Sequence, residues 1–205
     1  MATVDNGGKG PHRSAEVNSE ARLLVSAVTS TEADHNADKG NRWNVNTGDI
    51  TVTNATKLTL IYIKNNHATQ TLFVTACIYN LGATTGGGGD VILTVVRNPA
   101  SASDIAANAN DCDIISNQNY GNTGSFAGVA YKGAVGETVA PATGEKDGDS
   151  ISTRSAASTG RIAIQLGAII LTPGQSISLD YTPPVGNTSQ VVQVALPCFF
   201  QDIVV

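Results

Sequence analysis

The stretch 176–200, "SISLDYTPPVGNTSQVVQVALPCFF", decides the fold. Ile177, Leu179 and Tyr181 recur at every second residue, and Val192, Val194 and Leu196 do the same further on, with Ser and Gln filling many of the alternate places. A period of two is the mark of a strand with one side toward a core. Between the two runs, Pro183 and Pro184 cannot donate to a ladder, and Gly186 and Asn187 tolerate positive φ, so the chain turns there. The pair reads as a long hairpin or as a corner between two sheets.

Working upstream, the same kind of run recurs: "DITVT" (49–53), "KLTLIYIKN" (57–65), "QTLFVTACIYNL" (70–81), "DVILTVVRN" (90–98), "CDIISNQNY" (112–120), "FAGVAYKG" (126–133) and "RIAIQLGAIILT" (161–172). With the opening pair, this predicts about nine strands and no convincing helix. Only "SASDIAANANDC" (101–112) is a helix candidate, as one turn or a loop. In 161–172, Ile162, Ile164, Leu166, Ala168 and Ile170 form one face, as expected of a strand covering a core on one side. Residues 71–81 are apolar on both faces and suit a central strand. "TTGGGGD" (84–90) reads as a hairpin tip, 121–128 as a loop, and 139–160 as a long polar excursion without a period of its own. Many short antiparallel strands at this spacing give a two-sheet sandwich, a jelly roll or a Greek-key barrel.

Composition sets the bounds. With 205 residues, 41% of them hydrophobic, the chain can bury a core without a disulfide or metal staple. Charged residues make up only 14% and the net charge is −5, which leaves no basic face to neutralise phosphates and argues against nucleic acid. Cys77, Cys112 and Cys198 are odd in number and have no metal or redox spacing, so they read as buried free thiols of a protein made in a reducing cytoplasm. No run reaches bilayer-spanning length, and "MATVDNGGKGPHRS" lacks the apolar region of a signal peptide, so a soluble protein without a membrane partner is expected.

Residues 1–40 differ from the rest. They are rich in Gly, Asn and charge around one short apolar stretch, "RLLVSAV", and read as an extended N-terminal arm preceding a domain that spans 41–205.

Motifs for chemistry are thin. His12 and His35 lie in polar flanks and His67 in the expected turn "KNNHATQ", none with a ligand partner at strand or helix spacing. Asp34, Asn36 and Asp38 have the alternate spacing of a calcium loop, yet Lys39 stands where such a loop needs glycine and Val45 where it needs a bidentate glutamate. A solvated turn is the better reading there, as it is for "KDGDS" (146–150). Asp111 and Asp113 would share a strand face, but acid–base work needs a partner across a cleft. The glycine run lacks the Lys-Ser/Thr and helix start of a phosphate cradle. Trp43, the single tryptophan, reads as a core or interface plug ahead of a sugar platform. No catalytic, cofactor-binding or metal-ligating residue is nominated, and the expectation is a protein that is not an enzyme and carries no cofactor.

The succession "LTLIYIKNNHATQTLFVTACIYNLGATTGGGGDVILTVVRNP" (58–99), "NQNYGNTGSFAGVAYKG" (117–133) and "GRIAIQLGAIILTPGQSISLDYTPPVGNTSQVVQVAL" (160–196) resembles the jelly-roll structural proteins of tailed bacteriophages, in particular capsid decoration, or cement, proteins. The resemblance rests on turn phrases such as "LTPGQSISLDYTPP" and "VRNP" and covers about 43–200. It implies an all-β, antiparallel two-sheet sandwich of jelly-roll type with no catalytic residues to carry over. It further implies a virion structural protein on the capsid exterior that binds across major capsid subunits, the expected partners being the major capsid protein and itself as a homotrimer. The arm lies outside the resemblance. A similarity to modules of phage tails and fibres keeps open a receptor- or glycan-binding module, with the loops 84–90 and 144–150 as its tip.

Overall fold

In a computed structural model the described residues are 36–37, 39–53, 57–85, 89–99, 110–112, 114–121, 124–133, 147–155, 159–186 and 188–202, with backbone alone at 53, 83–84, 110–111, 114, 147–155 and 165–168. Among them the chain forms β1 (Arg42–Thr53), β2 (Leu58–Asn65), β3 (Gln70–Thr85), β4 (Asp90–Arg97), β5 (Asn110–Asp111), β6 (Ile114–Asn117), β7 (Gly128–Lys132), β8 (Asp147–Ser155), β9 (Gly160–Leu171), β10 (Ser176–Thr182) and β11 (Ser189–Asp202). These make two antiparallel sheets, ordered β6-β1-β11-β3-β9 and β5-β7-β2-β10-β4-β8. The expected all-β, two-sheet architecture is therefore present.

β10 belongs to the second sheet and β11 to the first, so the prolines at 183–184 mark a corner between sheets, not a hairpin. Ile177, Leu179 and Tyr181 join Val192, Val194 and Leu196 in one core cluster, which is what their period required. Across that corner the Tyr181 hydroxyl donates to Gln190 Oε1 at 2.5 Å, and Gln190 Nε2 donates to the Gly82 carbonyl at 3.1 Å. A glutamine buried to 1% exposure is tolerable only because both ends of its amide are engaged. The glycine-rich segment after β3 likewise connects the two sheets, because β3 lies in the first and β4 in the second; the hairpin-tip reading is corrected.

At the opposite end one asparagine ties two turns together. Asn65, with 0% exposure, donates through Nδ2 to the Gln70 and Leu171 carbonyls at 2.9 and 2.8 Å, and its Oδ1 accepts the His67 amide. Its backbone pairs with Gln175 and Gly174, so the β2–β3 and β9–β10 turns are held as one unit. Nearby, Asn98 of the "VRNP" phrase has φ 42 and its Oδ1 accepts the Ser176 amide at 2.9 Å. Asparagine is among the few side chains that enter this left-handed region readily, even with a proline following.

Two expectations need correction. The polar excursion at 139–160 contains β8, an edge strand paired with β4 through two register shifts, and β5 was also not anticipated. The helix candidate 101–112 falls largely outside the described residues, and its end forms β5. The single apolar face read along 161–172 is broken: Ile162 and Ile164 pack against the core, but further along it is Ile169 and Leu171 that are buried, while Ile170 is 50% exposed. The cause is a register shift between β3 and β9 at Val74 and Ala76, opposite Ile169 and Gln165. A bulge adds residues on one strand and exchanges inside for outside beyond it. β3 changes parity at the same place, with Leu72 and Val74 inward before it and Cys77 and Tyr79 after it.

Candidate functional site

The outer side of the first sheet is organised by a bulge in β1. Gly48 adopts φ 64, its amide is accepted by Asn46 Oδ1 at 2.8 Å, and Thr47 Oγ1 turns inward to accept the Val194 amide at 3.0 Å. The register then shifts, so that Asn46 lies beside Ala195 and Asp49 beside Gln193. Without the extra residue, Asn46 and Asp49 would point to opposite faces; with it, both point out.

The result is a cleft of about 260 Å³ lined by Asn44, Asn46, Ile78, Asn80, Arg161, Gln193 and Ala195, drawn from β1, β11, β3 and β9. Asn44 Oδ1 is buried there without a hydrogen-bond partner among the described residues. The lining offers amide donors and acceptors, one guanidinium and an apolar floor, which is chemistry for holding a surface or a polyol. Along the strands from this cleft, Phe73 and Phe199 stack at 5.1 Å with an interplanar angle of 10°. They sit between Arg42 and Ile170 in one cross-strand row.

The outer side of the second sheet holds a different arrangement. Asp180, fully buried, accepts on Oδ1 from Thr59 Oγ1 at 2.9 Å and Ser178 Oγ at 3.2 Å. Lys57 Nζ lies 3.2 Å from Oδ2, and the lysine side chain is 37% exposed. Burial pushes the Asp180 carboxyl up from its ordinary range, and the Thr59 hydroxyl, the Lys57 charge and the Ser178 hydroxyl pull the other way. Tyr62, on the same side, stacks on Tyr131 at 6.2 Å, and burial raises its phenol as well.

Of the residues weighed from sequence, Trp43 is a core residue at 5% exposure, edge-on to Phe126 at 5.8 Å. His67 lies in the β2–β3 turn, where Nδ1 accepts the amides of Thr69 and Gln70, so the proton of the neutral ring sits on Nε2. Its ring packs 5.7 Å from Phe200 and serves the turn. Cys77, Cys112 and Cys198 are free and buried, and burial pushes the Cys77 thiol up to about 12 and that of Cys198 up as well. Asn36 is buried, whereas Asp34 and Asp38, His12 and His35, Asp113 and the side chains of 111 and 146–150 lie outside the described residues. Residues 1–35 of the arm lie outside them too. Among the described residues no group of three or more His, Cys, Asp or Glu could hold a metal ion.

No family model, curated protein or solved structure matches this chain.

Sequence reasoning missed both arrangements. The first depends on a bulge, signalled only by "NTGD" (46–49), and the second on the burial of residues that alternate with a core face. Asp180 standing among "SISLDYT" was the available signal, since a carboxylate is unusual on so apolar a strand.

Proposed function

We propose that the chain is a virion structural protein that decorates and stabilises the exterior of an icosahedral bacteriophage capsid, binding across neighbouring major capsid subunits. The strand order supports this reading. Eight long strands, β1-β11-β3-β9 opposite β2-β10-β4-β8, change sheet at every step except from β4 to β8, and this winding fits a jelly roll, a fold used by capsid proteins and lectins. Fold alone does not give function. The observation that carries the proposal is the outer face of the first sheet. Across four strands it alternates amides, small apolar residues and the partly exposed Phe73, stacked on the buried Phe199, with few charges, a composition of protein contact surfaces. A module that binds the assembled shell better than its parts stabilises it by mass action, and many copies with an arm at 1–40 add avidity.

The test is cosedimentation of the purified protein with shells that lack it. Stoichiometric binding and a raised shell melting temperature are expected; protein left wholly in the supernatant overturns the reading. A second reading is favoured by the amide-lined cleft itself: a receptor- or glycan-binding module of a tail or fibre. Glycan-array binding that is lost in Asn80→Ala, without shell binding, would put that reading in place of the first.

A further inference from the structure

The cross-strand rows on the outer face of the first sheet have a symmetry that names a partner. Asp49, Gln193, Asn80 and Arg161 are successive neighbours across β1, β11, β3 and β9. Read from either edge, the row runs charge, amide, amide, opposite charge. Asp49 and Arg161 are exposed, and neither side chain has an ion-pair partner among the described residues. Three strand spacings of about 4.8 Å hold them roughly 14 Å apart, too far to pair within one sheet and beyond the screening length of about 8 Å at physiological salt.

We propose that this face is a two-fold contact between two copies of the chain, in which Asp49 of each copy pairs with Arg161 of the other. A two-fold axis along the strands, midway between β11 and β3, reverses each row and sets it against itself. Asp49 then faces Arg161, and Gln193 faces Asn80. The neighbouring row, Asn46, Ala195, Ile78 and Ala163, sets the large Ile78 against the small Ala195 of the other copy. In the row Arg42, Phe199, Phe73 and Ile170, the Arg42 stem lies over the half-exposed Ile170 and the partly exposed Phe73 comes over Phe199, which is already buried within its own chain at 6% exposure and adds little. Large against small and plus against minus is what an isologous interface needs, and face-to-face stacking with nearly aligned strands is an ordinary sheet packing.

The area is sufficient. Four strands and the ten residues from Arg42 to Thr51 cover roughly 600 Å² per copy, about 1,200 Å² in total, against the ~1,000 Å² that a specific interface should clear. Ile170 and Val191, two of the exposed large apolar side chains, lie on this face and would be covered. The proposed function reads the same face as a contact surface, whereas this inference gives it to a second copy and leaves shell attachment to other surfaces of the dimer, so it does not depend on the capsid. Shell binding by a monomer would overturn the inference alone, and a dimer that ignores shells would overturn the function alone.

The experiment is the solution mass of the full chain by light scattering at low ionic strength. Wild type is expected at the mass of two chains. Asp49→Arg and Arg161→Asp should each weaken dimerisation at least about tenfold. Mixing the two single variants should restore a two-chain species, because the arginines at both positions of one variant then face the aspartates at both positions of the other. The mixing arm also shows that neither variant is merely misfolded. A one-chain or three-chain mass for wild type, single variants that still dimerise like wild type, or a mixture that stays monomeric would each overturn the proposal.

Discussion

The two sheets share one core but differ outside it. On the first, Asn80 and Arg161 are exposed and Gln193 is half-buried beside an open cleft; on the second, Thr59, Ser178 and Asp180 have 0% exposure. All six occupy the polar places of strands that alternate with core residues. Alternation therefore reports which side of a sheet a residue is on, and not whether that side meets water. The polar side of β10 is closed and needs internal partners, whereas the polar side of β3 and β9 is available for contact.

The sharpest way to break this comparison is to place the same cation on each face. Ser178→Lys would leave a charge in a buried site whose existing cation, Lys57, already faces Asp180, at a cost of several kcal/mol, on the order of 4. Asn80→Lys, on the open face, should cost within about 0.5 kcal/mol. Urea unfolding at protein concentrations too low for dimerisation measures both, so that only the single chain is compared. Equal costs would mean that the outer side of β10 is as open as that of β3, and the distinction would fall.

A smaller contrast tests the parity exchange in β9. Measured at the same low concentrations, Ile169→Asp puts a carboxylate into the core and should cost roughly 3 kcal/mol or more, while Ile170→Asp, half in solvent in the single chain, should cost less than about 1. A larger loss at 170 than at 169 would restore the unbroken apolar face that the sequence suggests.

The same strand shows why part of the fold was legible and part was not. Strands with one continuous parity, such as β10 and β11, were readable because burial of every second side chain leaves a direct trace in composition. β9 was readable as a strand but not in its facing, because a bulge is set by pairing with β3 and leaves no mark in the run itself. β8 was missed for a related reason: "DGDSISTRS" is a polar edge strand held by pairing with β4, with little apolar pattern of its own. The candidate face was hidden further still. Asp49, Gln193, Asn80 and Arg161 come from four distant parts of the chain and become a row only through three registers.

The closed side of β10 also has a pH signature that the open face lacks. Burial raises the Asp180 carboxyl above its ordinary 3.8, so the folded protein holds that proton at pH values where the unfolded chain has released it. Stability from this group is fully present below 3.8 and is lost as pH rises through the raised value. Lowering the pH from neutrality into that window should therefore stabilise wild type relative to Asp180→Asn, which cannot titrate yet keeps an acceptor for the Thr59 and Ser178 hydroxyls. Unfolding free energies of the two proteins, taken at steps between neutral and mildly acid pH, should converge or cross in that direction. A difference that stays constant would show that Asp180 does not titrate over this range. The opposite slope would show that the Lys57 charge outweighs burial, making Asp180 an ion-pair partner held ionised, as an exposed Asp–Lys pair on the first sheet would be.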